Sequence, residues 1–282
     1  MIDFHIKEAT NALSLMKDHI RYIVYVVLLD ILFLLIYGFV KGAPELTGFL
    51  GKTYDYLKVF LTLVSQNAKS ITEEVAKKTS VVTLITTNEL IRQYFLLLVF
   101  TLLLFAVVAY FLYGFIIGSA WYNNTRMLSN KIGYKEYIKQ FYLVTIPFFI
   151  LFIIHSIISF IETFRQITLE RMTLPIPSGL STFLLLYMLV IFYFALIAYS
   201  LIGKYPTKKL LKKTLHIGIK KSKTFFPAFI IMVLVFFIAN LLMLYLGSIN
   251  PYTMLVVGII VLFPVIAWTR LYAKLVVDRI EG

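Results

Sequence analysis

The chain has 282 residues, of which 60% are hydrophobic and 15% are charged, and its net charge is +13. Soluble domains are about half apolar and about a quarter charged, so this composition excludes an ordinary soluble domain and predicts a membrane protein. The lysines flank apolar runs, so we expect the lipid bilayer and its anionic headgroups as partners, and no nucleic acid. The absence of cysteine excludes disulfides, thiol nucleophiles and cysteine-based metal sites.

Six apolar runs of about 20 residues predict six transmembrane helices. They cover residues 22–41, 93–118, 141–162, 179–202, 224–246 and 252–273. Residues 1–20 are amphipathic and lack the pattern of a cleaved secretory signal, so we expect the first span to stay in the mature protein. The sequence predicts an all-α, multi-pass protein of the cell membrane with one transmembrane domain over residues 1–282.

The cations are distributed unequally between the two sides of these spans. With the N-terminus inside, residues 1–21, 119–140, 204–223 and 270–282 hold 18 of the 27 lysines and arginines. Cytoplasmic segments of membrane proteins carry an excess of lysine and arginine. Both termini are therefore predicted to be cytoplasmic.

An amphipathic segment precedes each odd-numbered span. In the second segment Trp121, Leu128 and Ile132 share one side, and in the third Leu211 and Leu215 lie opposite lysines. The sequence thus predicts three units, each an amphipathic helix followed by two spans. In the first segment, apolar residues recur at intervals of three and four and form one stripe: Ile2, Ile6, Ala9, Leu13, Met16 and Ile20.

Residues 204–223 contain eight lysines and no acid beside an apolar face. Such a helix is predicted to lie at the membrane surface and bind anionic headgroups. In the alternative interpretation, the same lysines only keep this loop on the cytoplasmic side. The headgroup candidates are Lys208, Lys209, Lys212, Lys213, Lys220, Lys221 and Lys223.

Residues 43–92 form a loop on the opposite side that we expect to be helical. Apolar residues from Tyr54 to Val75 recur at intervals of three and four and predict a helix over 53–78. This helix either packs on the outer rim of the protein or binds a protein partner.

The stretches FIIGSAWYNNTRMLSNKIGY and SLIGKYPTKKLLKKTLHIGI are alike. In each, a span ends at a glycine, Gly118 or Gly203, and a second glycine, Gly133 or Gly218, follows in the amphipathic segment. With six spans, this arrangement resembles a loose group of prokaryotic six-helix membrane proteins. The group includes the membrane domain of some glycerophosphodiester phosphodiesterases. The resemblance implies a membrane domain of unassigned activity and no catalytic residues.

Asp30 lies in the middle of the first span, where a charge costs about 2.5–3.5 kcal/mol. A proton, a paired cation or a polar path could satisfy this carboxylate. Arg270, about 6 Å deep in the last span, is the favoured partner. His155 and Asn240 lie at similar depths and are predicted to form a separate polar layer. These four residues are either candidates for a transport pathway or structural groups.

Two GxxxG patterns, Gly38 with Gly42 and Gly114 with Gly118, predict close helix packing. Packing within one chain is favoured, and dimerisation is the alternative.

No catalytic motif and no metal-ligand spacing occurs, so the sequence predicts no catalytic residue, metal or cofactor. Two functional classes are favoured, and an intramembrane enzyme comes third. The first is a transporter or permease-like protein for a small molecule, ion or lipid, with Asp30 and the polar layer as its path. The alternative is a non-enzymatic membrane-organising or partner-binding protein that acts through the Lys-rich helix and outer loop. A polar cavity at Asp30 would favour the first class, and a close-packed bundle would favour the second.

Overall fold

The computed structural model describes residues 2–42, 55–56, 58–60, 62–63, 88–128, 132–171, 179–250 and 256–281. Within these ranges the chain is helical and contains no strand. The α-helices used below are α1 (Ile2–Asp18), α2 (Ile20–Gly42), α3 (Glu89–Met127), α4 (Tyr134–Arg171), α5 (Gly179–Ser200), α6 (Thr207–Leu215), α7 (Ser222–Ile249) and α8 (Phe263–Glu281). A π-helical turn follows α6 at His216–Lys220, and another precedes α8 at Gly258–Leu262.

Five helices of the described chain, α3, α4, α5, α7 and α8 with its π-turn, are long and apolar enough to cross a bilayer. The pair α1–α2, bent by 95°, makes a sixth span if it is counted as one. These helices expose large apolar side chains in continuous rows, such as Leu234, Phe237 and Ile238 on α7. Exposing so much apolar surface to water is unfavourable, whereas the hydrocarbon of a bilayer solvates it. The protein is therefore an all-α, multi-pass integral membrane protein, which confirms the predicted fold class.

The chain forms two compact units, Met1–Leu32 with Tyr113–Gly282, and Phe33–Leu112. In the second unit, residues 55–56, 58–60 and 62–63 are helical and lie within the predicted helix 53–78. The rings of Phe60 and Phe95 lie 5.9 Å apart, so this segment packs on the start of α3. The rest of the predicted outer helix lies outside the described residues. The unit is larger than the predicted 43–92 insertion, because it takes in parts of α2 and α3.

The last helix, α8, is the central element of the first unit. It packs against α1, α5 and α7. In the most apolar part of α8, 56% of the residues are buried, compared with 17% for the corresponding part of α4 or α7. The helix α8 is therefore packed mainly against other helices of the chain, whereas α4 and α7 present most of their surface outward.

The four segments predicted to share one side of the membrane meet at one end of this unit. We call this region, residues 2–21, 119–128, 132–140, 204–223 and 270–281, the basic end. Its contacts include Arg279 with Glu8 (3.3 Å), Lys204 with Asp278 (2.8 Å) and Gln140 with the Tyr205 carbonyl. The alternation of the spans is thus consistent with the predicted topology.

The predicted apolar stripe of α1 lies beside its buried face. Ile6 and Leu13 of the stripe are 59% and 58% exposed, whereas His5, Glu8 and Ala12 on the neighbouring face are buried. The stripe keeps some contact with the protein, since Leu13 and Met16 line a groove with Val235 and Trp268.

The three predicted units differ in their first elements. In the first and third units the amphipathic segment is a separate helix, α1 or α6. In the second unit α3 continues past Gly118 to Met127, and α4 begins at Tyr134. Gly118 therefore does not end the helix, and Trp121 is a buried residue of α3 with 2% exposure.

Glycines bring α3 and α4 close together. A Cβ atom at Gly114 would overlap the Tyr142 ring, and one at Gly118 would lie 3.0 Å from the Phe141 ring. These two glycines pack within the chain, as favoured from the sequence. The packing of Gly38 and Gly42, at the end of α2, lies outside the described side chains.

Candidate functional site

A buried ion pair joins Asp30 on α2 to Arg270 on α8. Arg270 Nη1 donates to Asp30 Oδ2 at 2.8 Å, and Nη2 donates to Oδ1 at 2.6 Å. Asp30 is 4% exposed and Arg270 is 7% exposed. This fork-to-fork geometry engages both carboxylate oxygens and is the strongest form of an arginine–carboxylate pair. The predicted pairing of these two residues is confirmed.

Asp30 and Arg270 both lie well inside their helices. The predicted last span ended at residue 273, and the helix α8 itself continues to Glu281. At about 1.5 Å per residue, Arg270 is about 16 Å from the end of α8, and Asp30 is about 15 Å from the start of α2. The two groups are therefore at similar distances from these two helix ends.

Aromatic side chains lie close to this pair. Tyr113 interacts electrostatically with both Asp30 and Arg270, and its side chain hydrogen-bonds Tyr199 on α5. The Tyr199 ring stacks on Phe141 at 4.8 Å and meets Trp121 edge-on at 5.7 Å. Such rings bury large apolar areas and keep water away from the charges they cover. Tyr113 thus connects the ion pair to a cluster of packed aromatic rings.

The ion pair begins a row of charged residues along one face of α8. Arg270, Lys274, Asp278 and Glu281 are spaced by four, four and three residues, which places them on one side of a helix. Lys274 is 1% exposed, and its Nζ donates to the Ser200 carbonyl at the end of α5 at 3.1 Å. The row thus links α8 to α2 at one point and to α5 one turn later.

The two acids of this row hold the Lys-rich segment. Asp278 pairs with Lys204 at 2.8 Å, and Glu281 pairs with Lys213 at 3.2 Å. Tyr205 also hydrogen-bonds Glu281, and this bond is the main cause that raises the pKa of the Tyr205 phenol. The Glu281 hydrogen bond likewise raises the pKa of Lys213. Both shifts favour the protonated donors, so this contact is fully formed at neutral pH.

A second face of α8 holds α1. Trp268 Nε1 donates to the Ala9 carbonyl at 3.3 Å, and the Tyr272 hydroxyl lies 3.2 Å from His5 Nδ1. The order of these contacts is opposite along the two helices, so α1 and α8 run in opposing directions where they touch. Together the two faces make α8 the anchor of both described amphipathic helices, α1 and α6.

The lysines of residues 204–223 divide into two groups. Lys204 and Lys213 bind the acids of α8, and Lys221 Nζ donates to the Ile280 carbonyl at 2.7 Å. Lys213 and Lys221 were headgroup candidates, but the structure gives them partners within the chain. The remaining candidates are exposed: Lys208, Lys209, Lys212, Lys220 and Lys223.

The Lys-rich segment has one buried and one exposed apolar side. Leu210 and Ile217 are buried in the core, whereas Leu215 and Ile219 are 55% and 64% exposed. Leu215, on the predicted apolar face, is therefore accessible to a membrane surface. Gly218 supports the buried side, because a Cβ atom there would overlap the Phe194 ring. We call the exposed surface formed by Lys208, Lys212, Leu215, Ile219, Lys220 and Lys223 the lysine platform.

His155 and Asn240, predicted to form a polar layer, have different partners. The His155 ring stacks on Tyr187 at 6.0 Å, and the Asn240 amide donates to the Phe236 carbonyl of its own helix at 3.0 Å. No hydrogen bond joins these two described side chains, and Asn240 is exposed. These two described side chains therefore make separate contacts and do not form a shared polar layer.

The sequence analysis missed Lys274, Gln140 and the acids of α8 as structural groups. The signal for the α8 residues was the repeat of charge every four residues after Arg270. Gln140 has no such signal, since its role depends on the folded α5–α6 turn. Among the described residues, no three histidine, aspartate or glutamate side chains cluster as metal ligands.

No protein-family model matches the chain, and comparisons with curated proteins and with solved structures found no similar protein. The fold and the charged face of α8 define the class of the molecule, which is a helical integral membrane protein with a basic end.

Proposed function

We propose that this protein is a non-enzymatic membrane protein that binds and organises anionic lipids through its lysine platform. The observation that carries this proposal is the exposure of Leu215 and Ile219 beside four exposed lysines, on a segment fixed to α8. A surface that mixes cations with apolar side chains is typical of helices that lie in the headgroup region.

The platform is held in place before any lipid arrives. Lys204, Lys213 and Lys221 bind α8, so the neighbouring lysines need little ordering to meet a charged surface. Each lysine near an anionic bilayer contributes about 1 kcal/mol. A preorganised set therefore favours anionic lipids over zwitterionic ones.

Transport through Asp30 has less support. Both carboxylate oxygens accept hydrogen bonds from Arg270, and close aromatic packing adjoins the pair. A transported ion or proton would have to break this ion pair at a cost of several kcal/mol. Asp30 and Arg270 are better explained as a structural tie, and His155 and Asn240 do not extend a path from them.

The lipid preference can be measured on the full chain. We would purify it from vesicles of equal phosphatidylglycerol and phosphatidylcholine and quantify the retained lipids by mass spectrometry. We expect phosphatidylglycerol to be enriched, and the enrichment to disappear when the platform lysines Lys208, Lys212, Lys220 and Lys223 are changed to glutamine.

The matched control changes four other cations of the basic end to glutamine: Lys7, Lys17, Arg21 and Lys135. It removes the same charge, and we expect it to keep the enrichment. Equal loss in both variants would mean that net charge, rather than the platform, selects the lipid. No enrichment in the unaltered protein would overturn the proposal.

We place the basic end and both termini on the cytoplasmic side, because 18 of 27 cations belong to segments predicted to lie there. The chain has no cysteine, so a single introduced thiol is a unique label. We expect a membrane-impermeant thiol reagent to label Asn250→Cys in intact cells, and Lys223→Cys only after permeabilisation. The reverse pattern would invert the orientation.

A further inference from the structure

An open groove of about 520 Å³ lies at the basic end, between the start of α4 and the turn that joins α5 to α6. Glu136, Lys139 and Leu143 line it from α4, and Lys204 and Thr207 line it from the turn. Its position beside α6 makes it a neighbour of the lysine platform and distinct from the Asp30–Arg270 pair.

Gln140 fixes the shape of this groove. Its side-chain oxygen accepts the Gly203 N–H at 3.1 Å, and its side-chain nitrogen donates to the Tyr205 carbonyl. Gly203 has a φ of 86°, which glycine adopts without strain, so the turn can close tightly on Gln140. The groove is therefore preformed rather than dependent on a mobile side chain.

The lining changes from charged to apolar along α4. Glu136, Lys139 and Leu143 follow at intervals of three and four, so they lie on one helical stripe over about 10 Å. Leu143 is 46% exposed and lies toward the apolar part of α4. This order matches a phospholipid, whose charged headgroup adjoins its glycerol backbone and chains.

The charges of the lining match a zwitterionic headgroup. Lys204 is already paired with Asp278, which leaves the exposed Lys139 and Glu136 as one cation and one anion. Residues three apart on a helix are surface neighbours. The two side chains can therefore meet the opposite charges of one small headgroup.

We propose that this groove binds one zwitterionic aminophospholipid. The Lys139 ammonium and Thr207 hydroxyl donate to the lipid phosphate, the Glu136 carboxylate accepts from the headgroup ammonium, and Leu143 contacts the start of the acyl chains. The inference deepens the proposed function by adding a specific lipid site beside the platform. The groove is proposed to prefer a zwitterionic lipid and the lysine platform an anionic one, so experiments can reject either proposal without the other.

The test uses the full chain in a neutral detergent with dioctanoyl phosphatidylethanolamine as the probe. We expect this lipid to raise the thermal unfolding midpoint, and Lys139→Gln and Glu136→Gln each to weaken its apparent affinity by about tenfold or more. Lys135→Gln, an exposed neighbour outside the groove lining, is the matched control and should bind as the unaltered chain does. The fourfold platform variant should also keep this binding.

Three further probes decide the chemistry of the ligand. Equal affinity for dioctanoyl phosphatidylglycerol would overturn the zwitterionic assignment. Equal affinity for free phosphoethanolamine or inorganic phosphate would show a soluble ligand and overturn the lipid assignment. Lys139→Arg keeps the charge and should retain binding, so a loss in Lys139→Gln with an unchanged unfolding midpoint before lipid addition reports the site and not misfolding.

Discussion

Arg270 Nη2 lies 2.6 Å from Asp30 Oδ1, so the last helix of the chain is tied to α2 across 240 residues of sequence. Both side chains are buried, and each is the other's charge partner. Removing one member leaves an uncompensated charge in a low-dielectric site, whereas removing both leaves none. This asymmetry distinguishes a structural ion pair from a carboxylate that takes part in transport.

We predict that Asp30→Leu or Arg270→Met alone lowers the free energy of unfolding by about 3–5 kcal/mol. The double variant should recover most of that loss, because apolar side chains of similar volume replace both charges. Unfolding in detergent micelles, followed by the fluorescence of the two tryptophans, measures all three variants. A double variant as unstable as the worse single variant would contradict the structural interpretation.

Lys274 offers a second comparison of charge with volume. Its stem is buried, and its Nζ bonds the Ser200 carbonyl. We expect Lys274→Met to change the free energy of unfolding by less than about 1.5 kcal/mol, since it keeps the volume. Lys274→Ala should cost about 2–5 kcal/mol through the cavity it opens. If methionine proves as damaging as alanine, the ammonium and not the packing is essential.

Gly114 tests the contact between α3 and α4. An added methyl group there would overlap the Tyr142 ring, so Gly114→Ala should destabilise the protein by about 1–3 kcal/mol through overpacking. Gly133→Ala is the control, because a Cβ atom at that position meets nothing within 4 Å. Thermal unfolding of the two variants in one detergent gives the comparison. Equal effects would mean that backbone freedom, and not the helix contact, matters at Gly114.

The contact of Glu281 with Lys213 and Tyr205 predicts a dependence on alkaline pH. Both donors have a pKa raised by their bond to Glu281, so the folded state holds these protons more tightly than the unfolded chain. Their contribution to stability is complete below the ordinary pKa values of about 10 and is lost as pH rises through the raised values.

We expect the contact to persist unchanged from pH 7 to about pH 9 and to weaken above about pH 10. NMR of lysines carrying isotope-labelled methyl groups follows the titration, and Lys213→Arg identifies the Lys213 signal. In Glu281→Gln that signal should titrate at a lower pH than in the unaltered chain. An identical titration in both proteins would show that Glu281 does not hold Lys213.

Apolar runs are local properties of the sequence, so the helices of the spans could be predicted from it. The Asp30–Arg270 pair was also predictable, because few cations lie near enough in depth. The partners of Lys213 and Lys221 could not be predicted, since helical periodicity assigns residues to faces but not to neighbours. The polar layer predicted for His155 and Asn240 has a related difficulty, because similar positions along two helices do not imply that the helices are adjacent.

The central position of α8 has a consequence for how the protein is made. Ribosomes synthesise about 5–20 residues per second, so Asp30 precedes Arg270 by about 12 to 48 seconds. During that interval α2 carries a carboxylate whose guanidinium partner does not yet exist. The ion pair is thus a late step of biogenesis, and a chain truncated before α8 would be left with an unpaired acid in its first apolar helix.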